Sequence, residues 1–143
     1  MTFSAKVRDG VKNVDLARIG FGQAVAVTPV QLAAGVCAVV NGGKKVTPHF
    51  VDRIESVDGR EIYRFTDIKQ QILSAETSSL MRELLLNVVN NGGGKKAAVE
   101  GYEIGGKTGT AQKYENGAIA SGKYVSSFVG FAPADDPKYV ILM

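Results

Sequence analysis

Residues 101–112 read Gly-Tyr-Glu-Ile-Gly-Gly-Lys-Thr-Gly-Thr-Ala-Gln, and no other stretch restricts the possible folds as much. Gly101, Gly106, Lys107 and Thr108 satisfy the phosphate-binding pattern G-x-x-x-x-G-K-[ST]. That pattern works only where the turn leads straight into a helix whose first N–H groups face the phosphates. Here Lys107 is followed by Thr-Gly-Thr-Ala-Gln-Lys-Tyr-Glu-Asn-Gly, with a glycine in the would-be first turn and no apolar period near 3.6. Glu103 would set a negative charge beside a polyphosphate, and no later apolar strand ends in an acidic residue able to hold Mg²⁺. The run therefore reads as a β-strand with Lys107 and Thr108 at an accessible edge.

A strand here makes the rest of the chain an α+β arrangement. The stretch TPVQLAAGVCAVVNGG predicts a helix over about 29–41, with Thr28 as N-cap, Pro29 at the first position, Gln31 closing a capping box and Gly42 as the stop. Its apolar residues run almost all round, so it is expected to be central. A second helix is predicted between Ser74 and Gly92, with Leu80, Leu84, Leu85 and Val88 on its apolar face and Arg82, Glu83, Asn87 and Asn90 on the wetter side. Between the helices, Asp58-Gly59 separates two runs of β-formers and predicts a tight hairpin with strands at about 50–57 and 60–65. Beyond the second helix, strands are expected at about 103–112, 124–132 and 138–143. Asn116-Gly117 and Asp135-Asp136-Pro137 divide them into an antiparallel meander. The predicted fold is an antiparallel sheet with packed helices.

Within the motif strand, Gly105, Gly106 and Gly109 are expected where a substrate main chain or carboxylate must come close, which a side chain would block. Alternation puts Thr108 and Thr110 on one face, so that two hydroxyls can meet one carboxylate, and Lys107 on the other.

Several function classes fall away on composition. The 143 residues are 45% apolar and 22% charged with a net charge of +3, an ordinary globular balance. The basic residues are not interleaved with aromatics at any nucleic-acid motif spacing, so no nucleic-acid partner is expected. Cys37 is the only cysteine and His49 the only histidine, which leaves no metal ligand set and no intramolecular disulfide; no cofactor is expected. Cys37 reads as a small core hydrophobe, and His49 as a turn or packing residue. The longest apolar stretch, Ala24 to Val40, is interrupted by Thr28, Pro29 and Gln31 and falls short of the ~20 residues needed to span a bilayer.

The run GFGQAVAVTPVQLAAGVCAVVNGGKKVTPHFV resembles the transpeptidase domain of bacterial penicillin-binding proteins ahead of their last motif. GKTGTAQ followed by SSFVGFAPADDPKYV resembles that motif strand, K-T-G, and its neighbours. The resemblance covers roughly 15–143. Ala111 and Gln112 look like the monofunctional class B enzymes, and FVGFAPADDP leans towards their division or sporulation branch. The resemblance implies a partial penicillin-binding transpeptidase (serine β-lactamase-like) fold. It also implies a serine acyltransferase that cross-links D-Ala-D-Ala stem peptides of peptidoglycan outside the cytoplasmic membrane and is acylated by β-lactams. Carried onto this sequence, Lys107 is the motif lysine, Thr108 and Thr110 bind the substrate carboxylate, and the Thr110 N–H is an oxyanion-hole donor. Gly109 lines the same substrate strand, and Gln112 supports it.

The family also requires S-x-x-K for the nucleophile and S-x-N for the proton path, and neither pattern occurs in this chain. Residues 1–143 are therefore expected to form the C-terminal part of such a domain, soluble and inactive alone, with the missing N-terminal part as their natural partner. Left alone, the final strand should expose an apolar edge that favours self-association. Two alternatives stay open: a related serine β-lactamase or DD-carboxypeptidase, which shares K-T-G, and a non-enzymatic protein-binding module built on the hairpin and meander.

Overall fold

A computed structural model of the chain describes residues 17, 19–20, 22, 25–68, 70–115 and 118–143. Helix α1 spans Pro29–Val40. It starts where its capping box says it should: Thr28 Oγ1 accepts from the Gln31 N–H at 3.3 Å, and Gln31 Oε1 accepts from the Thr28 N–H at 3.0 Å. Helix α2 spans Ala75–Asn90, with Ser74 Oγ accepting from the Thr77 N–H at 3.0 Å. Strands β1, Arg53–Glu55, and β2, Glu61–Arg64, form a small antiparallel hairpin. Strands β3, Gly105–Glu115, β4, Ala118–Ala132, and β5, Tyr139–Leu142, form an antiparallel sheet in the order β3-β4-β5.

The meander is therefore present, with different bounds. β1 and β2 are shorter than predicted, because only the residues next to the turn pair. β3 and β4 are longer, because their ladder continues to Glu115 opposite Ala118. The predicted turn residues Asn116 and Gly117 lie outside the described residues. The first hairpin's turn is a three-residue loop rather than a two-residue one. The Gly59 N–H donates to Ser56 O at 2.9 Å, the Ser56 N–H donates to Arg60 O at 2.8 Å, and Gly59 takes φ +81°.

Both helices pack on one face of the three-stranded sheet. Val40, Phe131 and Ala134 are buried together, with Val36, Val39, Leu85, Leu86 and Val140 around them. This packing corrects two expectations. α1 is central only at its C-terminal end, where Ala38 and Val40 are buried, whereas Val30 and Leu32 stay exposed. α2 turns Leu85, Leu86 and Val89 inward and leaves Leu80 and Leu84 exposed.

The reason for that rotation is polar. Ser78, fully buried, donates from Oγ to Val39 O at 2.6 Å and accepts from the Gly42 N–H at 2.9 Å. Arg82, predicted on the wet side, instead donates from Nη1 to Val40 O at 3.1 Å. The last carbonyls of α1, which have no partner within their own helix, are thus satisfied by α2, with a cation at the negative end of the helix dipole.

Just beyond α1 the chain closes a neck. Lys44 pairs with Gln71, the Lys45 N–H donates to Gln70 O at 2.8 Å, and the Ile72 N–H donates to Gly43 O at 2.8 Å. Gly43 has φ +84°, and a Cβ there would lie 2.1 Å from Leu73 O, so only glycine fits. Within the excursion that starts at this neck, His49 stacks on Phe65 with centroids 3.6 Å apart and uses Nδ1 on Thr47 O, a packing role. Cys37 is half-buried, and burial pushes its thiol pKa up, away from reactivity.

Candidate active site

The motif lies on β3, and the residues after Lys107 continue as strand to Glu115. Among the described residues no helix follows the lysine, so the phosphate-loop geometry is absent there. Hydrogen bonding on the far side of β4 fixes how β3 is oriented. Phe128 and Met143 exchange both backbone hydrogen bonds, at 3.0 and 2.9 Å, so the N–H and C=O of Phe128 face β5. In an antiparallel ladder these directions alternate, so Ser127 and Val129 face β3. Their partners are Gly109 and Lys107, and Val125 pairs with Ala111. The main-chain groups of Thr108, Thr110 and Gln112 consequently point away from β4, along the open edge of β3. Among the described residues β3 pairs with no strand on that side.

Side chains divide by the same alternation. Phe131 faces the helices, and so do Val129, Ser127, Lys107 and Gly109. Thr108, Thr110 and Gln112 lie on the opposite face. All of these except Gly109 are exposed on β3, and Gly109 is half-buried. Lys107 Nζ donates to Thr108 O at 2.9 Å, so its ammonium folds over the open edge.

The glycines serve a different purpose from the one predicted. A Cβ at Gly105 would lie 2.2 Å from Phe131 Cζ, one at Gly106 would lie 2.4 Å from Phe128 Cζ, and one at Gly109 would lie 2.5 Å from Ser127 Oγ. The space that missing side chains leave is filled by β4, not kept clear for a ligand. Phe131 covers the strand on the helix face and Phe128 covers it on the other, so β3 is clasped from both sides where the motif begins. Phe128, Phe131 and Ser127 were not singled out from sequence. Their signal was present: small residues on one strand set against the serine and the two phenylalanines of SSFVGF on the next.

Beyond the motif the two long strands carry a charged cluster. Glu115 meets Lys113 at 3.0 Å and Lys123 at 2.8 Å. Hydrogen bonds from Lys123 and then Lys113 hold its carboxyl below the ordinary range. Among the described residues no group of histidines, cysteines and carboxylates could hold a metal ion, and no helix is long and apolar enough to cross a membrane.

An antiparallel sheet with both helices on one face, and a K-T-G edge strand held by its neighbour, form the partial α+β fold that the sequence resemblance implied. The chain belongs to the penicillin-binding protein transpeptidase family, whose domain model matches residues 5–143. It is 46% identical over 130 residues to the stage V sporulation protein D of Bacillus subtilis, covering 90% of this chain and 20% of that protein. It is 31% identical over 144 residues to a peptidoglycan D,D-transpeptidase FtsI homolog of Mesostigma viride, covering 91% of this chain and 24% of that one. A crystal structure of penicillin-binding protein 3 from Mycobacterium tuberculosis in complex with ampicillin superposes with a TM-score of 0.86 at 31% identity. That match covers 94% of this chain and 32% of the other. The chain thus spans about a fifth to a third of the length of these three relatives.

Proposed function

We propose that this chain supplies one wall of the active site of a peptidoglycan D,D-transpeptidase, which joins D-Ala-D-Ala stem peptides through an acyl-serine intermediate on the outer face of the cytoplasmic membrane. The observation that carries this reading is the open edge of β3. The Thr110 N–H points along it, where it can donate to a developing oxyanion. The Lys107 ammonium stands at the same edge, and the hydroxyls of Thr108 and Thr110 share the face beyond it. A substrate strand laid on this edge would use the main-chain groups that β4 leaves free. Thr108 and Thr110 then bind its carboxylate, Lys107 supplies positive potential, and Gln112 extends the bonding edge. Residues 1–143 form the C-terminal part of the domain in this reading, and the nucleophilic serine and its lysine come from the remainder.

The sporulation-type relative at 46% identity favours a sporulation role over a division role. The remainder of the domain is also the partner for β5, whose Tyr139 and Ile141, with Met143 just beyond the strand, are exposed beside an apolar groove of about 270 Å³. Without it, a second copy is expected to pair there. Light scattering of a concentrated sample would show a strict monomer if that expectation fails.

The main test is second-order acylation of the intact domain by a fluorescent β-lactam. Lys107→Ala and Thr110→Val should each lower it by about ten- to a hundredfold, the worth of one charge-assisted hydrogen bond. Unfolding midpoints should stay close to that of the unmodified domain. Unchanged rates in both variants would mean that β3 is scaffolding.

A further inference from the structure

Gly109 and Ser127 face each other in the β3–β4 ladder, in a pair whose main-chain groups point at one another. Such pairs hold their Cα atoms about 5.5 Å apart with both side chains on one face. That face is the one the helices share. Because residue 109 has no side chain, the Ser127 hydroxyl leans into the space: its Oγ lies 2.5 Å from where a Cβ would be, while the next atom, Ser127 Cβ, is at 3.9 Å.

Lys107 stands two residues along β3 on that same face, so Lys107 and Ser127 are diagonal neighbours, a separation that a long side chain spans. A side chain at 109 would sit beside this diagonal, and glycine leaves it open. The Lys107 ammonium is bonded to Thr108 O, one of the open-edge groups that an incoming strand would use. An occupied edge therefore displaces the ammonium, and the nearest hydroxyl on its own face of β4 is that of Ser127.

We propose that Ser127 is a positioning residue for Lys107, its hydroxyl accepting a hydrogen bond from the ammonium once a ligand occupies the edge of β3. The inference rests on the reading of Lys107 given above. It also gives the third residue of K-T-G a defined role, because glycine at 109 admits the hydroxyl that holds the lysine two positions earlier. Ser127 holds the charge over the helix-facing side, where it no longer competes with the substrate for the edge.

The test is a double-mutant cycle in the intact domain, read as second-order acylation by a fluorescent penicillin. Ser127→Ala should slow acylation about tenfold, and Ser127→Thr, which keeps the hydroxyl, should recover most of that loss. In a Lys107→Ala background Ser127→Ala should change nothing further, because the interaction it removes is already gone. Unmodified rates in Ser127→Ala would overturn the proposal. So would a loss of the same size with and without Lys107, since the hydroxyl would then serve packing alone. If Lys107→Ala itself leaves acylation unchanged, the active-site reading of β3 falls first, so the two failures are told apart.

Discussion

Two antiparallel hairpins of this chain, β1–β2 and β3–β4, are built from similar local signals and held by opposite means. The β1–β2 hairpin is closed by its own turn, by Ser56 bonded to Asp58, and by surface ion pairs of Arg64 with Glu61 and of Arg53 with Glu55. Every residue of its two strands is exposed, and the strands pack on each other rather than on a helix. The β3–β4 hairpin leans on α2 and is clasped by Phe128 and Phe131 over its glycines. Exposed ion pairs contribute on the order of 0–1 kcal/mol each, whereas burying one phenylalanine contributes several times that. Local chemistry can shape a hairpin, but burial decides which one the molecule depends on. The motif sits on the second kind.

Breaking each hairpin separately measures the contrast. Phe131, 2% exposed and lying over Gly105, is the largest lever. Phe131→Ala should cost about 3–5 kcal/mol in urea unfolding followed by circular dichroism, and should carry the motif strand with it. Gly59→Ala forces a Cβ into a left-handed turn, at a cost of about 1–2 kcal/mol confined to the first hairpin. Hydrogen exchange at the Ser56 and Phe65 amides should speed up while the global midpoint barely moves. A global loss as large as that of Phe131→Ala would erase the distinction.

The smallest effect concerns Glu115. Its carboxyl pKa is lowered in the fold, so its contribution is present above the ordinary carboxylate range and is lost as pH falls through the lowered value. Acidification should loosen the ends of β3 and β4 near Glu115, read by exchange at Lys113 and Lys123, and Glu115→Gln should remove that pH dependence.

How much of this could be read beforehand follows the same division. The cap of α1 was legible because Thr28 and Gln31 act on each other three positions apart, whereas only the start of α2 after Ser74 was read, not its cap. The edge strand at Lys107 was legible because glycine and threonine rule out the competing helix. The inward face of α2 was not, because what rotates Ser78 and Arg82 towards the core is the carbonyl end of a helix about forty residues earlier. The glycines of β3 were placed correctly and explained wrongly. Their reason sits on Ser127, Phe128 and Phe131, which become neighbours only once the ladder has formed. The chemical roles of Lys107, Thr108 and Thr110 came from the family motif, and the open edge supplies a geometry in which those roles are possible.

The neck at Gly43 and Gln71 also governs how this chain can be altered. Residues 44–71 leave and re-enter the body side by side, and the two helices are already joined across that gap by Ser78 and Arg82. Whatever lies beyond the neck is a pendant whose length enters stability only through the logarithm of the loop, about 0.6 kcal/mol for each doubling. That makes the Val57–Gly59 tip a port for foreign sequence: an epitope, a fluorophore tag or a whole small domain could be spliced there, far along the chain from β3, without asking the core to repack.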